Sequence, residues 1–92
     1  MISVGKIAAT YDIMPESTDV PLDSVISALK GKIPAGVSII DTKIEPVAFG
    51  LKKVVAGFLI DDSDETIGSK LEDALRNISG VENIECTSSA LL

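Results

Sequence analysis

The sequence predicts an α+β fold of order strand, helix, strand, strand, helix, strand, and three observations carry that prediction. Apolar residues alternate with polar ones through the first candidate strand, and the third is the most apolar run in the chain. Two intervening stretches instead carry apolar residues at helical spacing. The exits of those two helices also resemble each other: Ile33, Gly36, Val37 and Ile40 in "IPAGVSII" are answered by Ile78, Gly80, Val81 and Ile84 in "ISGVENI".

The elements follow in order. Over residues 5–13, Ile7, Ala9, Tyr11 and Ile13 fall on one side of a strand and Lys6, Ala8, Thr10 and Asp12 on the other. Pro15 ends it, because its ring removes a donor and restricts Met14. Leu22, Val25, Ile26 and Leu29 then form one apolar helical stripe, with Asp19 as cap, Pro21 in the first turn and Gly31 just past the end. "VSIIDTKIEPVA" is β-branched but holds Pro46, which a central strand tolerates badly, so it reads as an edge strand. "LKKVVAGFLID" is the most apolar run and belongs in the middle of the sheet, with Val54, Ala56, Phe58 and Ile60 on one face. Thr66 can cap a second helix carrying Ile67, Leu71, Ala74, Leu75 and Ile78, which Gly80 stops. A short strand, "VENIECT", closes the chain, with Cys86 in phase with Ile84 and expected to be buried. Two split βαβ units of this kind make a ferredoxin-like sandwich: a four-stranded antiparallel sheet with both helices on one face.

Composition narrows the function. A chain of 92 residues builds one domain with one modest core, taken here as residues 1–92. Fourteen acidic residues against eight basic ones disfavour a grip on nucleic acid or anionic lipid. No histidine is present and Cys86 has no partner cysteine, which argues for a reduced compartment, no resident metal or cofactor, and no enzymatic role. No apolar run is long enough to span a bilayer, so the expected location is cytoplasmic.

Topology alone leaves several functions open. RNA recognition needs aromatic platforms and positive charge on the central strands, and here Tyr11 points inward. A metal-carrying domain needs paired cysteines at the first strand-helix turn, and an acyl-phosphate hydrolase needs an Arg there; the turn reads "MPESTD". The acidic run "DDSDE" at residues 61–65 lacks the length, glycine and terminal Glu of a calcium loop and reads as a solvated connection. A regulatory domain of the same fold that binds a small molecule remains as an alternative, although its usual glycine is missing from that turn.

The hairpin "EPVAFGLKK" is the most unusual stretch. Phe49 sits in a turn, either folded back onto the sheet edge or displayed. Pro46 stiffens the approach, Gly50 permits a positive φ, and Lys52 with Lys53 is the only adjacent basic pair. A rigid turn presenting an aromatic knob beside positive charge suits a protein-binding tip, because one buried aromatic can dominate an interface.

"MPES" after the first strand, "EPVAFGLKK" at the hairpin and "GVENIE" into the last strand resemble the archaeal translation elongation factor 1-beta family, guanine nucleotide exchange factors for elongation factor 1-alpha. The resemblance runs over essentially the whole chain, and "AFGLKK" is its most specific piece. It implies the ferredoxin-like fold and a partner GTPase, met in its GDP-bound and nucleotide-free states. It further implies that Phe49 enters an apolar pocket of that GTPase, that Gly50 and Leu51 shape the tip, and that Lys52 and Lys53 flank it. The family usually carries a basic residue near its C-terminus, towards the magnesium site, whereas this chain has none after Arg76. Direct displacement of magnesium by such a residue is therefore not expected here.

Overall fold

The structure, a computed structural model, describes residues 5–61 and 66–91. Residues 62–65, most of the acidic run, lie outside the described residues. The element order is β1 (Lys6–Pro15), α1 (Leu22–Lys32), β2 (Val37–Ala48), β3 (Leu51–Asp61), α2 (Thr66–Arg76) and β4 (Val81–Leu91). All four strands join one antiparallel sheet in the order β2-β3-β1-β4. This is the ferredoxin-like arrangement that the periodicity predicts.

The alternation in β1 and β3 decides which face is buried. Tyr11 pairs with Ala56 and Ile13 with Val54, so one register carries Ala9, Tyr11, Ile13, Val54, Ala56, Phe58 and Ile60 into the core. There they meet Val25 and Leu29 from α1 and Ile67, Leu71 and Leu75 from α2. Tyr11 and Phe58 stack edge to face with ring centroids 5.9 Å apart, a favoured aromatic geometry. The Tyr11 hydroxyl donates to Glu72 Oε2 at 2.9 Å, so the one polar atom of that ring is satisfied by α2.

The internal repeat has a geometric basis. Gly36 and Gly80, entering β2 and β4, adopt φ of +90° and +89°. The carbonyl of Gly36 accepts from the Asp61 N–H at the end of β3, and that of Gly80 accepts from the Glu16 N–H just after β1. Each half therefore ties its second strand to the end of the other half's first strand. A Cβ on Gly80 would also stand 2.8 Å from Val20 Cγ1, so both backbone and packing require glycine there.

Several local expectations are corrected. α1 runs through Gly31 to Lys32, and Ile33 is extended because it precedes Pro34, which sets the stop in place of Gly31. Pro21 is the residue before α1 and makes no side-chain cap, and Asp19 does not cap the helix either. Ile78 is buried but lies beyond α2, which ends at Arg76, and Thr66 is the first described residue of that helix. β4 is far longer than "VENIECT": it pairs with β1 as far as Leu91 opposite Ile7. Cys86 does fall on the helix side opposite Tyr11, yet it is exposed, because the last buried residue on this edge strand is Ile84.

Two glycine substitutions separate these roles. Gly31→Ala, in a helix and with nothing within 4 Å of the new methyl, should stabilise the fold by about 0.5–1 kcal/mol. Gly80→Ala should destabilise it by about 1–3 kcal/mol, and urea unfolding of both variants checks the contrast. Tyr11 supplies a pH test. Burial first, and then the Glu72 carboxylate, hold its phenol above the usual value. The folded chain thus favours the neutral phenol, so this contribution to stability is complete below about pH 10 and is lost as pH rises beyond that value. Tyr11 is the only tyrosine, so its phenolate absorbance should titrate in the native protein with a midpoint above about pH 10. An ordinary midpoint would place the ring in solvent.

Candidate functional site

β2 and β3 join through Phe49 and Gly50 alone, with Ala48 opposite Leu51. Both turn residues have positive φ, +51° and +81°. A two-residue hairpin prefers this conformation because its twist matches that of the strands, and it is normally filled by Asn, Asp or Gly. Gly50 fits that preference. Phe49 does not: a bulky side chain in the left-handed region costs roughly 1–2 kcal/mol.

Nothing in the fold offsets that cost locally, because Phe49 is fully exposed, at 104% of its reference area. It is displayed and does not fold back onto the sheet edge. The other two aromatic residues, Tyr11 and Phe58, are packed against each other in the core. Among the described residues the exposed large hydrophobic side chains are Ile40, Ile44, Val47 and Phe49, all on β2 or its turn. Sequence reasoning missed Ile40, Ile44 and Val47 as surface residues. The available signal was their place on a Pro-containing strand, whose edge position leaves one side without a neighbour.

Pro46 lies opposite Lys52 at the approach to the turn. The register shifts between Pro46 and Ala48, which leaves Val47 as the extra residue and adds twist just below the tip. Leu51 is half-buried at the start of β3.

The adjacent lysines separate, since successive residues of a strand face opposite sides. Lys53 lies on the sheet face without helices, and its Nζ is 2.7 Å from Asp12 Oδ2, with side chains only 23% and 15% exposed. The hydrogen bond to Asp12 raises its pKa, and the charges of Asp12, Glu45 and Glu85 act in the same direction. Nearby, Lys43 pairs with Glu45 at 2.9 Å, with both side chains more exposed. Lys52 lies on the opposite side, exposed and without an ion pair among the described residues. The structure thus brings Phe49, Gly50, Pro46 and Lys52 together at one end and ties Lys53 into the sheet. No group of three or more His, Cys, Asp or Glu able to hold a metal ion occurs among the described residues, and no helix is long and apolar enough to cross a membrane. The lysines should separate in a stability assay. Lys53→Met, which strands a half-buried Asp12, should lower the urea midpoint, whereas Lys52→Met should leave it unchanged.

Residues 8–92 match the family described as the EF-1 guanine nucleotide exchange domain. The chain is 39% identical to elongation factor 1-beta of Methanococcoides burtonii, over 91% of this chain and 93% of the relative. It is 40% identical to that of Methanosarcina barkeri, over 89% and 92%, and 35% identical to that of Archaeoglobus fulgidus, over 97% and 100%. Among solved structures, the C-terminal domain of the MgtC protein from Mycobacterium tuberculosis superposes with a TM-score of 0.63, covering 95% of this chain and 87% of that one. At 10% identity, that likeness speaks to the fold alone. Full-length similarity to archaeal relatives, on a fold whose hairpin displays its aromatic residue, shows that the chain belongs to the EF-1 guanine nucleotide exchange domain family.

Proposed function

We propose that this protein promotes GDP release and GTP loading on elongation factor 1-alpha, in the cytoplasm, by docking Phe49 into an apolar pocket of that GTPase. The observation that carries the proposal is the exposed phenylalanine held at φ +51° in a two-residue turn. A residue that makes no contribution to packing and strains the backbone is explained by a contact outside the chain.

The mechanism is linkage. A factor that binds the nucleotide-free GTPase more tightly than the GDP-bound form weakens GDP binding by the same ratio, and release accelerates. No acid, base or nucleophile is needed, which suits a chain without histidine and a non-enzymatic role. Family membership favours this reading over a regulatory domain that binds a small molecule. The acidic balance favours a protein partner over nucleic acid or a membrane.

Burying one phenylalanine side chain is worth roughly 1.5–3 kcal/mol, about tenfold to a hundredfold in affinity. Release of a fluorescent GDP analogue from elongation factor 1-alpha at fixed magnesium checks this directly. The parent protein should accelerate release, and Phe49→Ala should need at least about tenfold more protein for the same acceleration while unfolding as cooperatively as the parent. Acceleration by Phe49→Ala equal to the parent's would remove the tip from the mechanism.

A further inference from the structure

The hairpin extends past the pairing of β3 with β1. β1 pairs with β3 only as far as Ile13 opposite Val54, so Leu51 to Lys53 and the facing part of β2 project beyond the central pair. On the helix side of this projection, Ile44 pairs with the buried Val54 but is itself 41% exposed. The β1–α1 connection runs opposite, and between the two lies an open cleft of about 300 Å³. Ile44, Pro15, Val20 and Leu22 give it apolar surface, and Thr18 and Lys52 lie among its polar residues.

We infer that this cleft is the second half of the interface with the same GTPase, and that it receives an apolar side chain from the partner's surface while Phe49 enters the partner. The inference rests on the exchange reading above and specifies how the tip is supported.

Area requires such a second contact. One phenylalanine buries about 150–250 Å², whereas a specific interface takes about 800 Å² from each partner. A partner seated on Phe49 must therefore cover neighbouring surface on one side of the hairpin. On the face without helices, Lys53 is held by Asp12 and Lys43 by Glu45, and the carboxylates of Asp41 and Glu85 add further negative charge beside them. Covering that face would take these ion pairs and carboxylates out of water, a cost set against the apolar gain from Ile40 and Val55. The cleft side offers a half-exposed isoleucine, three further apolar side chains and Lys52, which has no ion pair among the described residues, beside the polar Ser17, Thr18 and Asp23. Gly50 and Lys52 line the cleft and follow Phe49 by one and three residues, so the two contacts are continuous. Lys52 also favours an acidic group on the partner beside the inserted side chain. At about 300 Å³, an open cleft lies at the lower limit for small-molecule sites and suits a single protruding side chain.

The test measures affinity for the nucleotide-free GTPase with four variants, each checked for cooperative thermal unfolding. Thr18→Trp fills the cleft from its exposed side, Ile44→Asp makes its apolar surface charged, Phe49→Ala removes the tip, and Ser69→Trp adds the same bulk on the exposed side of α2. The expected result is a loss of about tenfold or more for Thr18→Trp, Ile44→Asp and Phe49→Ala, with Ser69→Trp equal to the parent. If Phe49→Ala loses affinity while Thr18→Trp and Ile44→Asp stay within about twofold of the parent, the cleft is not a contact and only this inference falls. A parent that does not bind the GTPase overturns the exchange reading together with it. Parent protein that sediments as a dimer and becomes monomeric only in Thr18→Trp would assign the cleft to a second copy and overturn the inference.

Discussion

The register that sets Ile13 against Val54 determines what the rest of the molecule can do. It carries Tyr11 and Phe58 together beneath the helices, and it leaves the start of β3, Leu51 to Lys53, unpaired by β1. Pro15, the last residue of β1, lacks the donor needed to extend the ladder, and the chain departs into the β1–α1 connection. The β2–β3 arm therefore projects, and the molecule is elongated, 51 Å by 20 Å by 16 Å. A shift of one residue would exchange the faces of β3 and expose its core side chains. Burial thus fixes the length of the arm as firmly as it fixes the core.

Stability and recognition occupy different ends of this arrangement. The core rests on β1, β3 and one face of each helix, while the tip contributes an exposed aromatic and a strained dihedral. Such a separation allows a binding residue to be kept against its conformational preference, because the extended ladder beneath it holds the turn closed. The Lys53–Asp12 pair contributes on the face without helices, where it links β3 to β1 close to the base of the arm. The opposite end of the sheet, where Leu91 pairs with Ile7, lies far from the tip along the strands. A partner that touched both ends would have to reach along the whole sheet.

Much of the fold was readable from residue pattern. The alternation of Val54, Ala56, Phe58 and Ile60 gives the buried face of β3, and Pro46 marks β2 as an edge. The paired motifs around Gly36 and Gly80 identify the two strand entries. What escaped depends on neighbours distant in sequence. The segment after Thr87 is small and polar, with weak intrinsic strand preference, and becomes strand because β1 offers a free edge. Cys86 has the phase of a buried residue but lies on an edge strand beyond its last buried position. At the end of α1, Gly31 and Pro34 both signal a stop, and the steric demand of proline on Ile33 prevails. At the site, the residues of the tip were readable as a motif, while the positive φ of Phe49 and the exposure of Ile44 required the three-dimensional turn. The division of Lys52 from Lys53 was implicit in strand alternation, and only the location of Asp12 shows which of them is held.

The central claim is that Phe49 is kept for a partner at the expense of the fold, and Phe49→Asn tests both halves in one protein. Asparagine tolerates the left-handed region but cannot fill an apolar pocket. Equilibrium unfolding and GDP release from elongation factor 1-alpha should be measured on the same preparation. The account predicts a variant more stable than the parent by up to about 1 kcal/mol that has lost most of its acceleration of release. A variant that is less stable, or one that accelerates release as the parent does, would contradict it.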